Sequence, residues 1–164
     1  SNINQLKYHS IKQYYQSNDL YIECKKYLMR LKENNNFYLI LILYLFGFFP
    51  PIKLHILDLN KHYKFDIIRG LVKTKDESNN SKNISLSSEN LIFVFKYDYG
   101  FDTLQVNSRL VCEENYFKKV TKCFILGSLN NTGRYIKILD LYKYLNLNFI
   151  LRGLEILNIK KKHH

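Results

Sequence analysis

The sequence predicts a mainly β domain: a five-stranded barrel with an N-terminal helical extension and a C-terminal helix. Three observations predict it. From Ile52 onward, β-branched and aromatic runs alternate with turn signals at spacings typical of all-β domains. A short helical stretch falls between the third and fourth of these runs. Gly70 and Gly127 stand where a closing barrel bends its first and fourth strands.

The elements follow in chain order. Residues 6–32 read as helix, because Leu20, Cys24, Leu28 and Leu31 recur at spacings of three and four with basic residues between them. Ser17 and Asp19 occupy the N-cap region and Asn34-Asn35-Asn36 ends the helix. Phe37 to Phe49 is an uncharged run closed by Pro50-Pro51. It is too short for a membrane span, which needs about 20 residues, so it reads as a buried helix or strand.

The first barrel strand is Tyr63 to Lys73, with a further strand at Ile52 to Leu57. Lys75 to Asn90 is rich in Ser, Asn and Lys and reads as a flexible loop. Leu91 to Asp98 is the second strand, Tyr99-Gly100 a tight turn, and Phe101 to Leu110 the third strand. Glu113 to Lys119 is a short helix, with its acidic pair suited to the helix N-terminus. Lys122 to Leu129 is the fourth strand, Asn130 to Gly133 a turn, and Arg134 to Tyr144 the fifth strand. Leu147 to Ile159 closes the chain as a helix whose stripe is Leu147, Ile150, Leu151, Leu154 and Leu157. Five strands with a helix between the third and fourth is the order of an OB-fold barrel. The expected organisation is a helical extension over 1–50, the OB-fold domain with its C-terminal helix over 51–159, and a basic tail with tag remnant over 160–164.

The chain has 164 residues, the length of one domain, and 25 Lys+Arg against 14 Asp+Glu, a net charge of +11. That balance suits a polyanionic partner, nucleic acid or an anionic membrane surface. It is also what an AT-rich genome encodes, since most of the positive charge is Lys. Cys24, Cys112 and Cys123 are widely spaced and fit an intracellular, reducing compartment rather than a disulfide framework. His9, His55 and His62 have no acidic or Cys neighbour at a telling spacing, and no phosphate loop or nucleophile elbow is present. The reading therefore assigns no catalytic residue, metal or cofactor, and expects a protein that is not an enzyme.

The segments YKFDIIRGLVKT (63–74), FVFKYDYGFDTLQVNS (93–108) and KCFILGSLNNTGRYIKIL (122–139), with the apolar helix at 147–159, resemble one known family. It is the OB-fold family of the middle subunit of replication protein A and the Stn-type subunit of the CST telomere-capping complex. The amphipathic DLYIECKKYLMRL (19–31) is similar to the helix that precedes the fold in telomeric members. The resemblance covers about the last two thirds of the chain. The sequence departs from the pattern in lacking Trp, in its 75–90 insertion, and in the missing second acidic residue at Asp98-Tyr99-Gly100.

The resemblance implies a nuclear, non-catalytic subunit of a single-stranded DNA-binding complex in replication or telomere end protection. Its C-terminal helix would dock another OB-fold subunit through Leu147, Ile150, Leu151, Leu154 and Leu157. Aromatic faces stack bases and cations meet phosphates. The candidate nucleic-acid residues are therefore Lys73, Lys96, Tyr97, Tyr99, Phe101, Arg109, Arg134 and Lys137. A rival reading is an interaction module of helix-plus-α/β type, like the RWD domains of kinetochore subunits, in which one helix over 6–46 dimerises. The two differ at residues 37–49: a continuous helix favours the rival, and a helix ending near Asn34 favours the barrel.

Overall fold

The computed structural model describes residues 15–74, 84–107 and 109–138. Residues Ser17–Asn34 form α1. Gln16 is its N-cap, and the Gln16 amide donates to the Asp19 carboxylate at 2.8 Å, closing a capping box. Ser17 is the first helical residue; its hydroxyl accepts from Lys61 Nζ at 2.7 Å. Leu20, Cys24, Tyr27 and Leu31 are the buried face of α1, at the spacing the sequence displays.

Asn35 ends α1 and Asn36 caps α2, Phe37–Leu45. Then come β1 (Ile52–Ile56), β2 (Lys61–Asp66), β3 (Gly70–Lys73) and β4 (Ile84–Leu86). Helices α3 (Ser88–Lys96) and α4 (Gly100–Val106), strand β5 (Val111–Cys112) and helix α5 (Glu114–Asn131) complete the described chain.

The five strands form one open mixed sheet in the order β3-β2-β1-β4-β5. Only β1 and β4 run parallel; the other neighbours are antiparallel. The pairing sets Ile52 opposite Phe65, Leu54 opposite Tyr63 and Leu54 beside Ile84, so one sheet face carries a continuous apolar row. That row meets α1, α3 and α5 around Phe65, whose ring lies 5.2 Å from both Phe95 and Phe124 and 6.3 Å from Tyr27. The opposite face carries Lys53, His55, His62, Lys64 and Val72, with the two imidazoles stacked 4.3 Å apart.

This architecture overturns the expected OB-fold barrel. The sheet is open, and three of the expected strands are helical. Leu91 to Asp98 is mostly α3, Phe101 to Leu110 begins as α4, and Lys122 to Leu129 lies inside α5, which also absorbs the short helix expected at Glu113 to Lys119. Tyr63 to Lys73 is two strands, β2 and β3, reversed at Ile67–Arg69 rather than bent once at Gly70. Gly70, at φ 82°, leaves that turn with Cys24 and Leu28 packed over its missing side chain. Gly127 turns no barrel corner: it lies in α5 where a Cβ would sit 2.9 Å from the Tyr27 hydroxyl. Within Lys75 to Asn90, residues 84–86 are β4 and Ser88 opens α3. The expected fifth strand is non-helical and unpaired over 134–137, and its remainder lies outside the described residues. The expected boundary at residue 50 runs through one core, since α1 supplies four of its buried side chains.

The rival's continuous helix over 6–46 does not form either, because α1 ends at Asn34. The test at residues 37–49 thus points one way and the sheet the other: the architecture is helix plus α/β, without a long dimerising helix.

Candidate protein-docking surface

Helix α2 has nine residues and no charged side chain. Two polar contacts start it. The Asn36 side chain accepts from the Leu39 amide at 3.1 Å, and the Asn36 amide donates to the Ile136 carbonyl at 2.7 Å. Its end is a Schellman closure: the Phe48 amide donates to the Leu43 carbonyl at 3.0 Å and the Gly47 amide to the Tyr44 carbonyl at 2.9 Å. Gly47 sits at φ 77° with open space around it, so the turn, not crowding, requires glycine there.

One side of α2 is tied to the sheet. The Tyr44 hydroxyl donates to Asp66 Oδ2 at 2.9 Å, while Asp66 Oδ1 accepts from the amides of Ile68 and Arg69 at 2.8 and 2.7 Å. Burial, then the bond to Asp66, raises the Tyr44 phenol above its ordinary pKa, so it is the donor at neutral pH. Of the apolar run, only Ile40 and Phe49 are fully buried.

The other side is open. Tyr38 is 74 % exposed, Ile42 48 %, Leu45 74 %, Phe46 77 % and Phe48 59 %. Positions 38, 42, 45 and 46 share one helix face, and Phe48 extends it across the turn. The expectation of a buried helix or strand at Phe37 to Phe49 is therefore corrected in its burial: Phe37–Leu45 is a helix, and about half of the run faces outward. Five large apolar side chains exposed side by side form the kind of patch that commonly marks a binding site. Missing charge was read as a sign of burial. Because residues 37–46 are apolar all round, the sequence held no signal of which face would be exposed.

The residues expected to meet nucleic acid fall into separate groups. Lys96, Tyr97 and Tyr99 come together after α3. The Tyr97 and Tyr99 rings stack at 5.2 Å, Lys96 Nζ lies 5.6 Å from the Tyr97 centroid, and Phe93 packs at 5.0 Å from Tyr97. These contacts occupy the Tyr97 ring and leave Tyr99, 45 % exposed, as the accessible aromatic. Asp98 between them lies 3.6 Å from Arg30 Nε, and Arg30 Nη2 also donates to the Phe95 carbonyl at 2.5 Å.

Phe101 is buried, stacked on Phe124 at 4.9 Å. Lys73 ends β3, Arg109 lies in the connection before β5, and Arg134 and Lys137 follow α5; all four are exposed. Lys137 Nζ sits over the Tyr135 ring at 5.1 Å. The expected partner-docking residues Leu147, Ile150, Leu151, Leu154 and Leu157 lie outside the described residues.

Cys24 and Cys123 are buried in the core and Cys112 is half-buried. Burial pushes the Cys24 thiol up to about 12 and raises that of Cys123 further. Both are protonated core side chains at neutral pH. Among the described residues no three His, Cys, Asp or Glu side chains converge on a metal site, and no helix is long and apolar enough to cross a membrane. A 330 Å³ cleft between α1 and α3, lined by Tyr15, Asp19, Ile22, Glu23, Ile92 and Lys96, offers mixed charges; Glu23 is already paired with Lys26 at 2.6 Å.

Compared with family models, curated proteins and solved structures, the chain matches none.

Proposed function

We propose that the chain is a non-catalytic protein-interaction module of helix-plus-α/β type, and that the outer face of α2 docks an apolar helix of a partner protein. One observation carries the reading: an uncharged helix, fixed at both ends and anchored through Tyr44, presents Tyr38, Ile42, Leu45, Phe46 and Phe48 outward. Burying these side chains is favourable at about 25 cal/mol per Å² of apolar area. The tyrosine and phenylalanines are the residue types enriched at the centres of interfaces. A rigid helix also loses little further conformational entropy on docking.

Photo-crosslinking tests this. A benzophenone amino acid replaces Tyr38 or Phe48, and separately Val106, which is 84 % exposed on α4. The expected result is a discrete adduct to a second polypeptide from positions 38 and 48, absent from position 106. Leu45→Asp should abolish it, and its mapped site on the partner should be an apolar helix face. Adducts from positions 38 and 48 no stronger than those from position 106 would remove the basis for the proposal.

A further inference from the structure

We propose that residues 147–157 of the chain itself are a ligand for the α2 face, covering it until a partner helix displaces them. This rests on the reading of α2 as a docking surface and names an occupant for it. Three observations converge. First, the described chain ends at Ile138, and its last stretch is fastened beside the start of α2. The Ile136 amide donates to Asn35 Oδ1 at 2.7 Å and the Ile136 carbonyl accepts from the Asn36 amide at 2.7 Å. The described chain therefore stops two residues beyond a contact with the helix N-cap.

Second, the reach suffices. Eight residues lie between Ile138 and Leu147, and the nine backbone steps from one to the other span at most about 30 Å when extended. The exposed face from Tyr38 to Phe46 is only about 12 Å long.

Third, the segment's sequence suits the face in kind. The α2 face is uncharged and rich in aromatic rings, while Leu147, Ile150, Leu151, Leu154 and Leu157 are aliphatic residues that recur in the sequence at intervals of one, three and four. A tethered ligand meets its site at high effective concentration, so even a weak contact holds. A free partner must then compete with it.

The chain contains no Trp, so a Phe46→Trp variant reports on this one position. In the full chain, the expected signal is short-wavelength emission, quenched by acrylamide several-fold less than that of a Val106→Trp comparator. Tenfold dilution should leave the signal unchanged. Adding Leu151→Asp/Leu154→Asp should bring quenching to the comparator's level while the far-ultraviolet circular dichroism is retained. A second measurement leaves the segment unaltered: a benzophenone at position 38 should form an adduct within one chain, mapped by mass spectrometry to residues 139–164.

Comparator-like quenching in the parent would overturn the proposal. So would protection that vanishes on dilution, which marks a second copy, or protection that survives the Asp pair with no intrachain adduct. Each of these leaves partner docking to be read from adducts to a second polypeptide. A protected position 46 with intrachain adducts alone would instead sink partner docking and keep the tethered contact. If both readings hold, the Asp pair should raise the yield of adducts to a second polypeptide.

Discussion

Asn35 holds three parts of the molecule with one buried side chain. Its Nδ2 donates to the Leu31 carbonyl at 2.9 Å and to Asn130 Oδ1 at 3.1 Å, and its Oδ1 accepts from the Ile136 amide at 2.7 Å. Asn35→Ala strands the Ile136 amide and Asn130 Oδ1, while the Leu31 carbonyl keeps the backbone amide of residue 35, so a loss of about 2 kcal/mol is expected, read as a lower urea midpoint. Asn35→Asp keeps the acceptor for Ile136 but turns an oxygen toward two oxygens. It should be worse than Ala at neutral pH, and the gap should narrow as the new carboxyl protonates in acid. The Asn run was legible as a helix stop, but its partners 95 and 101 residues away were not, because sequence spacing does not encode long-range contacts. The buried thiols make a second prediction. Burial raises Cys24 from 9.0 to about 12 and also raises Cys123. The folded state therefore holds protons that the unfolded chain releases above pH 9, and stability falls as pH climbs from there toward the folded values. By pH 10 each thiol should account for about 1 kcal/mol of loss. Urea midpoints at pH 8 and 10 check this; in Cys24→Ala the fall should be smaller by about that amount.

At the scale of elements, legibility followed periodicity and failed where a segment is apolar all round. β1 was readable from its alternation, and α1 from its stripe. The stretch Leu91 to Lys96 alternates apolar residues with other apolar residues, so period two and period 3.6 fit it equally well. Its true signal was the cap inside the supposed loop. Ser87 Oγ accepts from the Asn90 amide at 3.2 Å, and Asp58, from the β1–β2 turn, accepts from the Ser88 amide at 2.7 Å and from the Ser88 hydroxyl. Asp58→Ala leaves that helix start without two acceptor contacts and should cost about 2 kcal/mol. In α5 the stripe Tyr116, Val120, Cys123, Phe124 was present, but the short apolar run Cys123 to Leu126 followed by Gly127 read as strand. Tertiary packing overrides that preference, because Tyr27 fills the space beside Gly127. For α2, the half-buried N-cap contact controls the start of the docking helix. Asn36→Ala should destabilise by about 1 kcal/mol and weaken any adduct formed from position 38, checked by urea unfolding and crosslink yield together.

Over the whole molecule, sequence reading separated what packing joins. It assigned residues 1–50 to an extension because the all-β pattern begins at Ile52, and an amphipathic helix alone does not reveal what its apolar face covers. Here the face of α1 covers the sheet. Tyr27 lies 6.3, 5.6 and 6.5 Å from the rings of Phe65, Phe95 and Phe124, which come from β2, α3 and α5. Removing α1 would uncover those three rings, together with Leu71 of β3, and would release the Phe95 carbonyl from Arg30. Each large apolar side chain taken from a core costs about 2–5 kcal/mol, so Leu20, Tyr27 and Leu31 together account for about as much as the 5–15 kcal/mol by which ordinary domains are stable. The expected outcome is that residues 51–164 alone do not fold cooperatively. Their thermal unfolding should lack a sigmoidal transition and their amide proton spectrum should lack dispersion, while the full chain shows both. An independently folded 51–164 would mean that the sheet, α3 and α5 can close over Phe65 without α1, and that the helix is an appendage after all.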